Sequence, residues 1–474
     1  MNELKKLLDR LILRTNVNVR EKRHDATPFI QNLVPLKQMD KFYAFYGISN
    51  HHPLDLQFQH SNLAGSYFLG KCRVNNSLVY KSDVRGDELK KKGDIFKFQD
   101  FEIPITRDEG IDIEDSFLVK TLVHNYSHDP ETLERFFIKD TISTHYANIH
   151  GSPCEGCFLG PFATADLTTL RDSVIGSFSY LQAGEISHMR IKAGTIWVRN
   201  PGVFNFFYQH DRDRLGTYIR FSAGSLPTGV FMAVAEVCKN EFQGIFDKVN
   251  LAHTVPVPET ASVDRYAVVM PGTHISDNVL VAQRAFLQNA WMGKGANAQE
   301  NCYIVDSRLE GDNVTAHGAK ILGAELGKQV FVGFNSFLNG QPGCRLKIGD
   351  GCIIMPHTII DADEQSLTIP PGHLAWGLIN RPEDIRTHTL PIETFAAISE
   401  SFSLGNLFFE GSGKEFVSAF EQRIQHILEA NGAFFDGTRN RGHAQINQNI
   451  SFNTLQPYSE GDLKGIYPTI VIRP

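Results

Sequence analysis

The sequence predicts a mainly β protein built around a parallel β-helix of hexapeptide repeats, with an inserted α-containing lobe and flanking α/β extensions. The first observation is that apolar residues recur every six positions between about Val268 and Gly377. The second is that a glycine follows the apolar residue at several corners, namely Gly293, Gly327, Gly333 and Gly349. A period of six fits neither an α-helix nor a simple amphipathic strand, whereas it is typical of chains that coil through short parallel strands.

The repeat is traced by starting at Ile275 and following the apolar position along the chain, allowing for one-residue slips. The expected positions are, in order, Ile275, Val281, Leu287, Met292, Ala298, Ile304, Glu310, Ala316, Leu322, Leu326, Val332, Leu338, Ile348, Ile354 and Ile360. Since three hexads make one turn, residues about eighteen apart are expected to stack on one face of the β-helix.

The pattern divides the chain into five predicted segments. These are an N-terminal extension of mixed helix and strand at 1–150, a first hexapeptide segment at 151–199, an inserted, partly helical lobe at 200–267, the main hexapeptide β-helix at 268–377, and a C-terminal helix and tail at 378–474. Both hexapeptide segments end on similar sequences, at 191–198 and 369–377. This similarity favours one β-helix interrupted by an insertion.

Helices are predicted where the apolar spacing becomes helical. We expect them at 1–16, at 130–138, at 231–250 in the inserted lobe and at 413–431. The last has Ser412 as a candidate N-cap and Gly432 at its end, because a hydroxyl can accept the first free amides and glycine tolerates the left-handed conformation that closes a helix.

Composition limits the classes of function. The 474 residues are 42% hydrophobic and 21% charged, with a net charge of −7, which argues against nucleic acid or an anionic membrane as the main partner. No apolar run reaches the eighteen residues of a membrane span, and the charged N-terminal helix does not resemble a signal peptide. Seven scattered cysteines, including the lone pair Cys154 and Cys157, favour reduced thiols in a cytoplasmic protein.

The repeat at 268–377, with weaker support at 155–198, resembles the left-handed β-helix, hexapeptide-repeat acyltransferase superfamily. The resemblance implies a homotrimer that binds acyl-CoA, or an acyl carrier, in the groove between neighbouring β-helices. It also implies transfer of the acyl group to an amine or hydroxyl of a small molecule. No metal is expected for this reaction.

The candidate catalytic residues lie on one stacked face. His317 follows Ala316, and because the catalytic base of the superfamily is typically a histidine in such an Ala-His setting, the resemblance points to His317 as the general base. At a spacing of eighteen, Gln299 lies one turn earlier and Asn335 is near the same place one turn later. We therefore expect a polar ladder in which Gln299 and Asn297 position the substrate.

The candidate cofactor-binding residues are Asn335, His357, His373 and Trp376. His357 follows Met355-Pro356 and could place an imidazole at the groove. His373 and Trp376 belong to the sequence that ends the main segment, and the resemblance places such residues near the pantetheine arm of CoA.

Two alternatives to an acyltransferase remain. The gamma-class carbonic anhydrases share the fold and hold zinc with three histidines, and Asn297-Ala298-Gln299 matches part of their pattern. However, Ala285 and Phe286 follow Arg284 where the pattern needs Arg-x-Asp, and Leu322 stands five residues after His317 where a ligand is needed. The alternatives are therefore a relative with an altered or lost metal site, or a non-catalytic trimeric scaffold.

Overall fold

The computed structural model describes residues 2–49, 53–98, 100–127, 130–243, 253–456 and 464–473. The chain forms two compact units. The first unit comprises Met1–Thr195, Arg212–Ala233 and Asn449–Pro474, and the second comprises Ile196–Asp211 and Val234–Gln448. The division into five segments stays a prediction.

The first unit is built from parallel strands that the chain distributes in turn to three sheets, which we number 1 to 3. Sheet 1 contains Leu78–Tyr80, Phe117–Val119, Ile142–Ser143, Phe158–Leu159, Val174–Ile175 and Arg190–Ile191. Sheet 2 contains Asp55–Ser61, Lys71–Asn75, Ile111–Glu114, Phe136–Lys139, Cys154–Glu155, Thr168–Arg171 and Gly184–Ser187. Sheet 3 contains Ala44–Ile48, Ser66–Leu69, Asp83–Arg85, Leu122–His124, Asn148–His150, Thr164–Asp166 and Tyr180–Gln182.

The C-terminal residues return to this unit as edge strands. Ser451–Thr454 pairs antiparallel with Ala44–Ile48, and Tyr467–Ile472 pairs antiparallel with Asp55–Ser61. A separate hairpin joins Ile95–Phe98 to Phe101–Pro104. The first unit is therefore completed by a segment far away in sequence.

The N-terminal helix, Asn2–Val19, covers sheet 1 and confirms the helix predicted at 1–16. Leu4, Leu7, Leu8 and Leu11 recur at helical spacing and pack with Phe117, Ile142 and Phe158 in one apolar cluster. The shorter helices of this part of the chain are Arg20–Lys22, Thr27–Ile30, Leu36–Met39, Arg212–Tyr218 and Val230–Val237. The helix predicted at 130–138 is wrong, because Phe136–Lys139 pairs with Ile111–Glu114 as a strand.

The second unit repeats the three-sheet arrangement, in sheets numbered 4 to 6. Sheet 4 contains Ser262–Val263, Leu280–Val281, Asn297–Ala298, Val314–Thr315, Phe331–Val332, Ile353–Ile354, His373–Ala375 and the antiparallel Thr389–Pro391. Sheet 5 contains Val268–Val269, Phe286–Gln288, Tyr303–Val305, Lys320–Leu322, Phe337–Gly340, Ile359–Ala362 and Leu378–Ile379. Sheet 6 contains His274–Ile275, Trp291–Met292, Arg308–Gly311, Ala324–Lys328, Leu346–Ile348 and Leu367–Ile369.

The hexapeptide trace is correct for most turns and wrong for one. Leu309 and Ile321 are in the apolar interior, whereas Glu310 is exposed and Leu322 is only partly buried. In sheet 4 the inward position is held by Thr315, which is fully buried, and not by Ala316. The trace is one residue late here because only five positions separate Ile304 from Leu309.

The glycines that follow the apolar positions have a steric reason to be glycine. A Cβ added at Gly293 would lie 2.2 Å from the carbonyl oxygen of Glu310 on the next turn. At Gly333 and Gly349 it would lie 2.4 Å from a proline nitrogen of the next turn. The backbones of successive turns therefore approach too closely at these corners for any side chain.

The rest of the second unit consists of antiparallel strands and helices. Phe204–Gln209 pairs with Leu407–Gly411, which in turn pairs with Phe402–Leu404, and Thr195–Asn200 spans the boundary between the units. The helices are Lys239–Gln243, Pro382–His388, Ile392–Ala396, Gly413–Asn431, His443–Ile446 and Asn447–Asn449. Of the helix predicted at 231–250, residues 244–250 lie outside the described residues.

The predicted C-terminal helix is confirmed with its two ends. It spans Gly413–Asn431, and the Ser412 hydroxyl accepts a hydrogen bond from the Glu415 amide. Gly432 ends the helix with a φ of 80°. In the part of the chain that the structure describes, no helix is long and apolar enough to cross a membrane.

Substituting Gly176 with alanine should destabilise the first unit, because the new Cβ would lie 2.3 Å from the Ala193 nitrogen and 2.7 Å from its Cα. Since overpacking against backbone typically costs about 1 to 3 kcal/mol, we expect a lower midpoint of urea unfolding, measured by circular dichroism. Gly110→Ala is the control, because its nearest atom would be the Lys71 carbonyl oxygen at 3.6 Å. Equal midpoints for the two variants would contradict the close-approach interpretation.

Candidate active site

In the second unit the chain turns from sheet 4 to sheet 5 through a four-residue corner that recurs on successive turns. The corners are 282–285, 299–302, 316–319, 333–336 and 355–358. In these five corners, although not in the corner 264–267, the third residue has a positive φ, between 50° and 78°; the five residues are Arg284, Asn301, Gly318, Asn335 and His357. The shared conformation places corresponding side chains above one another.

His317 occupies the second position of its corner, and Glu300 occupies the same position one turn earlier. His317 Nδ1 lies 2.6 Å from Glu300 Oε2, and each side chain is only 5% exposed. Gln283 lies one turn before Glu300, and Phe334 lies one turn after His317 with 5.2 Å between the ring centroids. We call Gln283, Glu300, His317 and Phe334 the corner column.

The predicted stacking of Gln299 beneath His317 is wrong. Strand pairing aligns Ala298 with Thr315, seventeen residues later, so Gln299 aligns with Ala316. The Gln299 amide donates to the Thr315 carbonyl at 3.1 Å, and its side chain lies outside the corner column. The shorter turn has therefore replaced an amide by a carboxylate as the neighbour of the imidazole.

Asn297 and Asn335 contact the corner through the backbone of neighbouring turns. Oδ1 of Asn297 accepts a hydrogen bond from the Thr315 amide at 3.1 Å, and Asn297 is 1% exposed. The Asn335 amide donates to the His317 carbonyl at 3.0 Å. Asn335 aligns with Gly318, so it follows the corner column by one position.

The remaining cofactor-binding candidates are not in the corner column. His357 is fully buried, and its carbonyl accepts a hydrogen bond from His210 Nε2 at 3.0 Å. His373 donates from Nδ1 to the Pro371 carbonyl at 2.9 Å. Trp376 is fully buried and packs edge-on against Phe206. Their contact with a cofactor stays a prediction.

Lys320 connects the corners that carry Glu300 and His317. Its Nζ donates to the carbonyl of Asn301 at 2.6 Å and to that of Gly318 at 2.7 Å. Burial lowers the pKa of Lys320 to about 8, since a charged ammonium is costly away from water. The lysine thus holds the residues that directly follow the carboxylate and the imidazole.

Glu300 and Lys320 were not predicted from the sequence. The signal for Glu300 was the five-residue step from Ile304 to Leu309, which shortens the turn by one residue. The signal for Lys320 was a lysine in the first position of a buried strand, where aliphatic or aromatic residues dominate.

The lone cysteine pair of the first unit has the properties of structural thiols. Cys154 and Cys157 are free and completely buried. Burial raises the pKa of Cys157 to about 12 and that of Cys154 well above its usual range. Neither thiol therefore forms the reactive thiolate readily.

Comparison with known proteins adds a relative that spans the entire chain. A family model described as a hexapeptide repeat including a loop matches residues 101–223. A solved structure from Desulfovibrio desulfuricans, named a "putative acetyltransferase", is 49% identical, covers 100% of this chain and 99% of its own, and superposes with a TM-score of 0.92. None of the curated proteins matches the chain.

Two other solved structures match only part of the chain. A hexapeptide transferase family protein from Anaplasma phagocytophilum is 14% identical, covers 36% of this chain and 90% of its own, and has a TM-score of 0.20. A "putative acetyltransferase" from Bacillus cereus is 16% identical, covers 34% of this chain and 92% of its own, and has a TM-score of 0.17. The full-length relative from Desulfovibrio decides the assignment: this chain belongs to the hexapeptide-repeat acyltransferase superfamily.

Proposed function

We propose that the protein is an acyltransferase that moves an acyl group from an acyl-CoA-type thioester to an amine or hydroxyl of a small molecule. The observation that carries the proposal is the 2.6 Å contact between His317 Nδ1 and Glu300 Oε2. The name of the 49% identical relative, a "putative acetyltransferase", supports the same class of reaction.

Glu300 prepares the imidazole for general base catalysis. A carboxylate beside Nδ1 keeps the proton on that nitrogen, so Nε2 carries the lone pair that accepts a proton. The negative charge of Glu300 also stabilises the imidazolium that forms when His317 takes the proton. This is the role that a buried carboxylate has in other histidine-dependent acyl transfers.

The reaction then follows from the position of that lone pair. His317 Nε2 removes a proton from the acceptor amine or hydroxyl as the acceptor attacks the thioester carbonyl. When the tetrahedral intermediate collapses, the carbon–sulfur bond breaks and the imidazolium returns the proton to the leaving thiolate. The low exposure of the imidazole restricts bulk water, which would otherwise compete with the acceptor.

Lys320 is a positioning residue in this proposal. Its two hydrogen bonds fix the carbonyls of Asn301 and Gly318, each adjacent to one member of the His317–Glu300 pair. The corners cannot then separate without breaking a bond to a buried ammonium. This restraint keeps Nδ1 and the carboxylate in contact through the reaction.

The other predicted residues and the assembly belong to the same proposal. Gln299 and Asn297 position the substrate, whereas Asn335, His357, His373 and Trp376 bind the acyl-CoA. The three-sheet arrangement of each unit suits a left-handed β-helix, and we propose a homotrimer with the thioester between neighbouring β-helices.

Exchanging His317 for glutamine should remove the base while leaving acyl-CoA binding intact. Using acetyl-CoA and a panel of small amines and hydroxyl compounds, we expect thiol release to fall by about 10²- to 10⁴-fold, the usual contribution of a general base. Stabilisation of the native state by acetyl-CoA, measured by differential scanning fluorimetry, should persist. His426→Gln, at an exposed histidine of the same unit, is the matched control.

Glu300→Gln separates the charge of the carboxylate from its size. We expect a smaller loss of rate than in His317→Gln, with a shifted pH profile, because the imidazolium loses its negative neighbour.

Full activity in His317→Gln would refute the base assignment, whereas an absence of any acetyl-CoA effect on the wild type would favour the scaffold alternative.

Exchanging Lys320 for methionine should alter the pH dependence of stability. The pKa of Lys320 is about 8 in the folded protein, against an ordinary value of 10.5, so the unfolded chain binds more protons between these values. Wild-type stability should therefore gain on the variant as pH rises from about 8 to about 10.5, since each pKa unit corresponds to about 1.4 kcal/mol. The measurement is the urea midpoint at several pH values, with the exposed Lys294→Met as control. Parallel curves for wild type and Lys320→Met would contradict the assignment.

The proposed homotrimer gives a simple prediction of mass. Light scattering of the eluting protein should give three times the chain mass of 53.1 kDa. A monomer would require the thioester to bind within one chain, and would remove the proposed groove between β-helices.

A further inference from the structure

The outer face of sheet 2, in the first unit, carries a groove of about 1130 Å³ that the proposed reaction does not use. Its floor is formed by three neighbouring strands, Lys71–Asn75, Ile111–Glu114 and Phe136–Lys139. In the middle strand the first and third residues are buried and the second is exposed, so alternate side chains face the groove. A groove of this volume can hold a small organic molecule.

A glycine leaves a gap in one row of these outward side chains. Ile111 aligns with Cys72 on one side and with Phe136 on the other, so Gly110 lies between Lys71 and Arg135. A Cβ added at Gly110 would meet no atom closer than 3.6 Å, and the nearest atoms all belong to Lys71. The gap is therefore open and has a cationic side chain on either side.

Further positive charges line the groove beside this gap. Four cationic side chains act together on the carboxyl group of Asp112, namely Lys71, Arg73, Arg107 and Arg135. Partial burial in the groove raises the pKa of this carboxyl, and the four charges oppose the rise. The cations therefore converge on one end of the groove.

Two of these arginines keep their hydrogen-bond donors available. Nη1 of Arg73 lies 3.9 Å from Oδ1 of Asp112, which is beyond the distance of a hydrogen bond. In the part of the chain that the structure describes, neither Arg73 nor Arg135 donates a hydrogen bond from its side chain. Each guanidinium has five N–H donors in a planar fork that matches the oxygens of phosphate or carboxylate.

The carboxylates that line the groove do not supply enough partners at this end. Their cationic neighbours are Lys71 for Asp108 at 3.5 Å, Arg107 for Glu134 at 2.8 Å, Arg73 for Asp112 at 3.9 Å, and Lys139, on the adjacent strand, for Glu114 and Glu155. Arg135 forms no ion pair with any described residue. An anion over the gap at Gly110 would supply the missing acceptor oxygens.

An apolar surface lies next to the cationic end. Phe137 aligns with Asp112, is partly exposed and lines the groove. A ligand whose anionic group is bound at the gap can therefore cover this ring with an apolar part of its own.

We propose that this groove binds a small phosphomonoester, whose phosphate occupies the gap at Gly110 and whose apolar body covers Phe137. A phosphate carries a charge of about −1.5 to −2 and three acceptor oxygens, so it can engage Arg73 and Arg135 at once, whereas a carboxylate carries one charge. The groove belongs to the first unit and shares no residue with the corner column. The proposal is therefore independent of the proposed acyl transfer.

The test is isothermal titration calorimetry of the full-length protein with phenyl phosphate as the probe. We expect a dissociation constant of about 1 mM or lower. Inorganic phosphate lacks the ring and benzoate lacks the second charge, so each should bind at least about 10-fold more weakly. Benzoate that bound as tightly as phenyl phosphate would overturn the assignment to a phosphomonoester.

Variants then locate the site. Arg73→Gln and Arg135→Gln should each weaken binding of phenyl phosphate by about 10-fold or more, because each removes charge-assisted hydrogen bonds. Gly110→Leu fills the gap without changing the charge and should abolish binding. Asp112→Asn should strengthen binding, because it removes a carboxylate that competes for the arginines. The control is Arg171→Gln, at an exposed arginine of sheet 2 that does not line the groove.

A further variant tests the apolar part of the site. Phe137→Ala should weaken binding of phenyl phosphate while leaving that of inorganic phosphate unchanged. Circular dichroism shows that each variant is folded.

The proposal is overturned if the wild type does not bind phenyl phosphate at millimolar concentration. It is also overturned if Gly110→Leu and Arg135→Gln bind the probe as well as the wild type does. Equal losses in Arg171→Gln and Arg135→Gln would likewise overturn it, because they would indicate general attraction to a positively charged surface.

Discussion

The hydrogen bonding between successive turns is the constraint on which both units depend. Each inner strand pairs in parallel with the strand one turn earlier and with the strand one turn later, so both neighbours fix its register. Most strands point an aliphatic residue inward, with Thr315 as an exception, and the corners must bring the next backbone close enough for hydrogen bonding. Gly176, Gly293 and Gly333 show how little space remains, since a single Cβ at any of them would overlap backbone atoms of the next turn. Turn length is therefore the variable that decides which side chains meet.

The length of one turn decides which side chain lies beside His317 in the candidate active site. A turn of seventeen residues aligns Glu300 with His317, whereas a turn of eighteen would have aligned Gln299 with it. An amide in that place could orient an imidazole, but it could not stabilise the positive charge that develops when the ring accepts a proton. The buried ammonium of Lys320 donates hydrogen bonds to the carbonyls of Asn301 and Gly318 on these two turns. The chemistry of the corner column thus depends on one residue of turn length.

The first unit uses the same principle with different residues. Pairing along sheet 3 brings His124, His150 and Asp166 to equivalent positions, although intervals of twenty-six and sixteen residues separate them in the sequence. In each unit an imidazole Nδ1 lies within 2.7 Å of a carboxylate oxygen. The ring of His124 lies beside His150, whereas Phe334 and Gln283 belong to the corner column of His317. In both units, the pairing of successive turns therefore sets which carboxylate lies beside an imidazole.

The sequence by itself determined the features that depend on local chemistry. The six-residue rhythm indicated short parallel strands, and Ser412 and Gly432 marked the ends of the C-terminal helix. The Ala-His setting made His317 a candidate base, which stays a prediction. The sequence did not determine the partners of His317. After the five-residue step from Ile304 to Leu309, apolar residues occur both in the observed register, at Leu309 and Ile321, and in the predicted register, at Ala316 and Leu322. The sequence also misjudged 130–138, whose apolar spacing suits a helix but whose Phe136–Lys139 strand completes a ladder. Only the tertiary structure decided these points. The register of a strand depends on hydrogen bonds and close contacts with neighbouring turns, and these partners are distant in the sequence.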